Sequence, residues 1–191
     1  VRGITNLSSG KMGTAIANAA ESMGASVTLI TSNHKDYSKN INVIYVSDVR
    51  SMHDAVVKHI NDHDIFISVA AVSDFKPKEK LNQKLKKDVT GMSLELEPTI
   101  DILKEVGLSK NKIFKVGFAA ESENLIENAQ KKLKTKNLDL IVANLIHESM
   151  GLDDAKVSII DKNNVIDVPK SNKIVVAKLI LEEIVRHISM D

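Results

Sequence analysis

The chain has 191 residues, 43% of them hydrophobic and 27% charged, and a formal net charge of +1. This is the composition of one globular domain of ordinary size, and the charge balance points to neither a nucleic-acid nor a membrane partner. The absence of cysteine excludes a disulfide scaffold, a cysteine-based zinc site and a thiol nucleophile.

Short β-branched runs alternate with helical patterns along the chain. Strands are predicted at 25–30, 43–47, 64–70, 113–119 and 138–143, each aliphatic and bounded by polar residues. Helices are predicted between them at 11–22, 51–62, 99–107 and 123–135. The alternation implies an α/β fold, Rossmann-like, with a mostly parallel sheet flanked by helices. After Gly151 the texture changes. Strands near 156–161 and 164–168 flank Asp161-Lys162-Asn163-Asn164, which reads as a hairpin turn. A closing helix at 172–189 carries Ile174, Val175, Lys178, Leu179, Leu181, Glu182, Val185 and Ile188 in an amphipathic array. Residues 75–91 fit no element: they are lysine-rich, contain Pro77 and Gly91, and precede an alternating strand Ser93-Leu94-Glu95-Leu96-Glu97. An irregular insert of that length usually serves a function.

With aromatics at only 3%, the core must be aliphatic. No apolar run approaches the roughly 20 residues of a membrane helix, and no signal-peptide pattern stands at the start, so a cytoplasmic address is expected. The chain reads as one domain over 1–191, and its start at Val1 rather than Met suggests a piece of a longer protein.

Six stretches carry chemistry. Thr5-Asn6-Leu7-Ser8-Ser9-Gly10-Lys11-Met12-Gly13 opens a helix. Small residues and a lysine at a helix start suit a phosphate group, although Ser8 or Ser9 as a plain N-cap is about as good a reading. It is neither a Walker A motif nor a complete G-x-G-x-x-G. Val69-Ala70-Ala71-Val72-Ser73-Asp74-Phe75 lies at the carboxyl end of a strand, where open α/β sheets bind ligands. Its small residues admit a flat base and Asp74 offers an acceptor; alternatively Asp74 caps a turn. Lys76, Lys78, Lys80, Lys84, Lys86 and Lys87 are either a solvated loop or a cluster that neutralises a triphosphate. In Pro98-Thr99-Ile100-Asp101-Ile102-Leu103, Thr99 looks like an N-cap. Val116-Gly117-Phe118-Ala119-Ala120-Glu121 ends another strand ahead of a helix bearing Lys131, Lys132, Lys134 and Lys136; Phe118 stacks on a base or fills the core. Val142-Ala143-Asn144 places one more polar residue at a strand end. The six histidines form no ligand-spaced cluster with carboxylates, so no structural zinc site is expected.

These stretches, in this order, resemble phosphopantothenoylcysteine synthetase, the second half of the bacterial bifunctional coenzyme A biosynthesis protein. The resemblance rests on Ile4-Thr5-Asn6-Leu7-Ser8-Ser9-Gly10-Lys11-Met12-Gly13, Ala70-Ala71-Val72-Ser73-Asp74-Phe75, Lys84-Leu85-Lys86-Lys87, Val116-Gly117-Phe118-Ala119-Ala120-Glu121 and Ala143-Asn144. It implies a homodimer that uses CTP and Mg²⁺ to activate 4′-phosphopantothenate as an acyl-cytidylate, which cysteine then converts to the amide. It further implies that Asn6 acts in the second step and Lys84 in the first, Lys84 belonging to a flap over the site. Nucleotide-binding positions by the same resemblance are Ser68, Val69, Ala70, Asp74, Ile100, Asp101, Ile102, Leu103, Phe118, Lys132 and Lys136. Ser8, Ser9, Gly10, Lys11, Ala71 and Asn144 are expected near the substrate and its phosphate. Family members begin with an earlier strand and a Gly/Thr-rich loop that this chain lacks, and a flavin-dependent decarboxylase domain is expected ahead of it.

Two other readings stand beside this ligase: an ATP-using version of it, and a non-catalytic nucleotide-binding or dimerisation module of a larger enzyme. An NAD(P) domain is disfavoured, because the glycine fingerprint is incomplete and Thr31-Ser32-Asn33 stands where an acidic residue should end the second strand. Residues 76–87 carry a net +5 and residues 131–136 a net +4, which leaves −8 on the rest. The near-neutral total therefore hides two cationic segments on an acidic body, a pattern that fits a small triphosphate better than an extended polyanion.

Overall fold

The computed structural model describes residues 6, 8–79, 93–110, 112–145 and 152–189. In chain order the elements are α1 (Lys11–Ser22), β1 (Val27–Thr31), β2 (Ile41–Tyr45), α2 (Val49–His59) with a 3₁₀ turn (Ile60–Asp62), and β3 (Ile65–Ser68). Then come β4 (Phe75–Pro77), β5 (Leu96–Pro98), α3 (Ile102–Leu108), β6 (Phe114–Glu121), α4 (Leu125–Thr135) and β7 (Leu140–Leu145). The chain closes with β8 (Asp154–Ile160), β9 (Val165–Asn172) and α5 (Lys173–Ile188).

The main sheet has five strands in the order β3-β6-β7-β8-β9. β3, β6 and β7 are parallel, whereas β8 runs antiparallel to β7 and β9 antiparallel to β8. The parallel pairs follow from the helical crossovers between their strands. The reversal at β8 places Ile160 beside Ile141, at the start of β7. The hairpin tip Asp161–Asn164 therefore sits at the edge opposite the carboxyl ends of β3, β6 and β7. Asp161 makes this turn: its Oδ1 accepts from the backbone N–H of both Asn163 and Asn164 at 2.6 Å.

One expectation about the sheet changes. β1 and β2 pair in parallel as a separate ribbon, and among the described residues no strand bonds that ribbon to β3. Side chains make the link instead: His63 bonds Thr28 Oγ1 at 3.0 Å, and Ile30 of β1 and Phe66 of β3 pack against Val56, Ile102 and Val106.

The core is aliphatic, as the composition requires. Val116, Ala119, Leu140, Ile141, Val142 and Ala143 are fully buried in β6 and β7. One face of the sheet is covered by α1 and α5 through Ala15, Ile16, Ala19, Val176, Ala177, Ile180 and Ile184. The other is covered by α3 and α4 through Leu103, Ala129 and Leu133. Each such aliphatic side chain contributes about 1.5–3 kcal/mol by leaving water.

The array expected on the last helix is on the wrong face. Of its apolar members only Leu181 is buried; Ile174, Val175, Leu179, Val185 and Ile188 are exposed. The buried stripe is Val176, Ala177, Ile180, Leu181 and Ile184. α5 is apolar on both flanks, so periodicity alone leaves its inward face undecided.

Helix 99–107 is also corrected. α3 begins at Ile102 with Asp101 as its N-cap, the Asp101 side chain accepting from Lys104 N–H. Thr99 caps nothing there; its hydroxyl donates to the Ser73 carbonyl at 2.5 Å. The 64–70 strand stops at Ser68, the length over which it pairs with β6. The lysine-rich insert contributes β4, which pairs with β5 as a ribbon clipped by Lys76–Glu97 and Lys78–Glu95 at 3.1 and 3.0 Å. The flap segment around Lys84 lies outside the described residues. Among the described residues no helix is long and apolar enough to cross a membrane.

Candidate functional site

Two groups of the expected residues come together where β3 ends, Ser68 pairing there with Gly117 next to Phe118. The first gathers at the start of α1. Gly10 holds φ at +66°, a left-handed conformation, and a Cβ there would stand 2.1 Å from Asn33 Nδ2, so this turn strongly favours glycine. Gly10, not Ser8 or Ser9, stands at the N-cap position of α1 and has no side chain to bond with, while Ser9 Oγ accepts from the Lys11 amide at 3.4 Å. The first turn lies close to the end of β3, where a Cβ on Gly13 would touch Val69. Lys35 ties the loop by donating to the Ser9 carbonyl at 3.1 Å, and Lys11 pairs with Asp153 at 2.7 Å. Asn6 Nδ2 donates to the Ala71 carbonyl at 3.1 Å. That bond joins two motifs 65 residues apart and presents the exposed Ala70 and Ala71 beside Asn6.

The second group surrounds Lys132. Its half-buried ammonium donates to the Phe118 carbonyl at 3.0 Å. Burial and the nearby charge of Lys136 lower its pKa, against the opposing pull of Glu121, Asp101 and Asp74. Lys136 bonds both carboxyl oxygens of Asp101 at 2.9 Å. Burial disfavours the Asp101 carboxylate, but the bonds from Lys136 and the Lys104 amide hold its pKa below the ordinary value. The net result is two cations and three carboxylates, drawn from four segments of the chain, alongside the carboxyl-terminal half of β6. Asp74 is exposed. Phe118 is half-buried and packs on the core with part of its ring still accessible.

The other expected residues take the following positions in the fold. Ser68 is the last residue of β3 and lies opposite Gly117 of β6. Asn144 lies in β7 opposite Ala120, with its amide turned to the Leu145 carbonyl at 3.2 Å. Ile100 is exposed, but Ile102 and Leu103 are buried, so what these two offer a ligand is backbone. Lys84 lies outside the described residues.

Some contributors carried no local signal. A Cβ on Gly107 would meet the Lys136 carbonyl oxygen at 1.7 Å, so α3 crosses the end of α4 at backbone contact. Asn137, itself at φ 49°, reinforces the crossing by donating to the Gly107 carbonyl at 2.9 Å. Gly117 admits Leu138 and Leu103, whose methyl groups would lie 2.7 and 3.1 Å from a Cβ. These two glycines set the height of α3 over the sheet and bring Asp101 to Lys136. A small-residue position in an apolar stretch was the only trace of either.

The expectation of no histidine–carboxylate cluster is corrected, away from the site. His187 comes within 3.0 Å of Asp161, and with Glu183 the three offer ligand atoms within 4.8 Å of one another. Their atoms are already engaged: Asp161 by the turn amides, Glu183 by Arg186 and His187 Nδ1 by the Glu183 carbonyl. The cluster fastens the hairpin to α5.

A family profile for the DNA/pantothenate metabolism flavoprotein C-terminal domain matches residues 1–188. The bifunctional coenzyme A biosynthesis protein CoaBC of Bacillus subtilis (strain 168) is 43% identical over 190 residues, 96% of this chain and 47% of that protein. A prokaryotic cysteine/cysteine sulfinic acid decarboxylase is 43% identical over 173 residues, 87% of this chain and 48% of that protein. The crystal structure of the C-terminal domain of a CoaBC protein superposes with a TM-score of 0.85 at 37% identity, covering 100% of this chain and 89% of that one. The chain thus spans about half the length of the curated relatives it matches.

Proposed function

The chain belongs to the family of the DNA/pantothenate metabolism flavoprotein C-terminal domain, and on that footing we propose that it is the ligase that joins 4′-phosphopantothenate to cysteine in coenzyme A biosynthesis, with CTP as activator. In the first step a carboxylate oxygen of phosphopantothenate attacks the α-phosphorus of CTP. Pyrophosphate leaves and an acyl-cytidylate remains. In the second, the cysteine amine attacks the acyl carbon, CMP leaves with the bonding pair, and the ammonium proton of the new bond is released as the amide forms. A carboxylate is a poor electrophile, and the cytidylate supplies the leaving group it lacks.

The observation that carries this reading is the Lys132 neighbourhood. Lys132 and Lys136 place positive charge beside Phe118 and Asp74, on the strand-end edge where a nucleotide's base and phosphates would both find partners. Asp74 accepts from the base or sugar, Phe118 supplies an apolar face, and the two lysines oppose phosphate charge. Mg²⁺ arrives on the triphosphate as part of the co-substrate. Asn6, held at Ala71, donates to the acyl oxygen as cysteine attacks. Lys84 serves the first step. In the intact protein a flavin-dependent decarboxylase domain accompanies this one, and the ligase works as a cytoplasmic homodimer.

The test is to incubate the intact protein with phosphopantothenate, Mg²⁺, cysteine and either CTP or ATP. Pyrophosphate and CMP released with CTP are expected. Release with ATP alone would move the reading to the ATP-using ligase, and nucleotide binding with no turnover would leave a non-catalytic module.

A further inference from the structure

α3 is held from two sides. On one side it crosses α4 through Gly107, Asn137 and the Asp101–Lys136 pair. On the other it faces α2 across a cleft of about 230 Å³ lined by His53, Val56, Ile60, Ile102, Glu105 and Val106. Packing between these two helices is incomplete, so a polar bridge across the cleft has leverage over their spacing.

That bridge is His53, whose side chain is 18% exposed. Its Nε2 lies 3.0 Å from Glu105 Oε1 on α3, and its Nδ1 lies 3.2 Å from Asp54 Oδ1 on its own helix. A neutral imidazole has one N–H and one lone pair. In either tautomer that lone pair would face a carboxylate oxygen. Only the imidazolium, donating through both nitrogens, satisfies both contacts. Asp54 from α2 and Glu105 from α3 are the charged groups bonded to the ring. The cluster beneath is apolar, with Val49, Met52, Val56 and Ile60 from α2 and its 3₁₀ turn, Ile102 and Val106 from α3, Ile30 from β1 and Phe66 from β3.

We propose that His53, as imidazolium, is a positioning residue that through Glu105 sets the place of α3 and so of Ile100, Asp101 and the backbone of Ile102 and Leu103 at the nucleotide site. This rests on the nucleotide reading of residues 100–103. The hydrogen bond to Glu105, which outweighs desolvation and is aided by Asp54, raises the histidine's pKa above its ordinary 6.5. The clamp is therefore whole below that ordinary value and is released as pH rises through the raised one.

The experiment follows amide exchange of α3 and calorimetric binding of CTP with Mg²⁺, in the intact protein, from about pH 6 to about pH 9. The wild type should lose about two- to fivefold in CTP affinity across that range, the size expected of a partly exposed charged bridge. The loss should appear in KM for CTP rather than in kcat. His53→Gln should show the weaker affinity throughout. His53→Arg, whose charge does not titrate, should keep the stronger affinity at both ends. If His53→Gln matches the wild type at low pH in both measurements, the proposal fails. If α3 protection follows the charge on His53 while CTP affinity does not, the nucleotide reading of residues 100–103 is overturned and with it the coupling, and the clamp on α3 stands.

Discussion

Lys136 and Asp101 meet at 2.9 Å across 35 residues of sequence, and the bond joins the end of α4 to the first turn of α3. Lys132, one helical turn before Lys136, points the same way and reaches Phe118. The two lysines differ in their settings: Lys136 is neutralised by a carboxylate at bonding distance, whereas the carboxylates acting on Lys132 do so at longer range.

Lys132→Met keeps most of the side chain's length and its apolar stem and removes its charge. KM for CTP should rise about 10- to 100-fold, the effect of losing one charge-assisted bond at a desolvated site. Thermal stability should barely change, because the half-buried ammonium is itself costly to desolvate. Since its pKa is lowered, CTP affinity of the wild type should begin to fall at a pH below the ordinary lysine value of 10.5. Titration of CTP binding against pH for the two proteins tests both points.

Asn6→Asp should separate the two half-reactions. The carboxylate keeps the shape of the amide and loses its donor, so pyrophosphate release should persist while the acyl-cytidylate accumulates. Replacement of Lys84 should instead stop pyrophosphate release. Quenched-flow detection of the two products distinguishes them, and identical behaviour of both variants would show the division of roles to be wrong.

Gly107→Ala forces a Cβ against a backbone carbonyl that cannot step aside. Overpacking of this kind costs about 1–3 kcal/mol or more. The relief open to α3 is to lift from α4, which parts Asp101 from Lys136. Denaturant unfolding should show the loss of stability, and CTP affinity should fall with it.

Asp161 makes its contribution at the other edge of the sheet. Its side chain is 10% exposed. Burial opposes its ionisation, but the amides of Asn163 and Asn164, the Asn164 side chain and His187 together hold its pKa below the ordinary 3.8. A carboxyl lowered on folding adds stability that is complete above 3.8 and is lost as pH falls through the folded value. Asp161→Ala should cost about 1–3 kcal/mol at neutral pH. The deficit should narrow in acid, where the wild type loses the same bonds, and chemical unfolding at several pH values measures it.

Much of the fold was legible because local chemistry decides it. The α1 limits, 11–22, follow from a glycine stop and an aliphatic period, and the hairpin follows from an aspartate two and three residues ahead of the amides it accepts from. The choice between Thr99 and Asp101 as cap was not legible, since both are capping types and only the distant Ser73 carbonyl draws Thr99 away. Nor was the inward face of α5, apolar on both flanks. In the candidate site, the strand-end motifs and the small residues of Ser68–Ala71 could be read directly. The pairings Asn6–Ala71, Asp101–Lys136 and His53–Glu105 could not, because each is a property of where two separate elements cross.

The hairpin tip offers a practical handle. Lys162 is exposed between Asp161 and Asn163, on the edge of the sheet away from Asn6, Asp74 and Lys132. Because the chain has no cysteine, Lys162→Cys would carry its only thiol. A fluorophore attached there would report the tumbling of the protein while leaving the edge that carries Asn6, Asp74 and Lys132 clear.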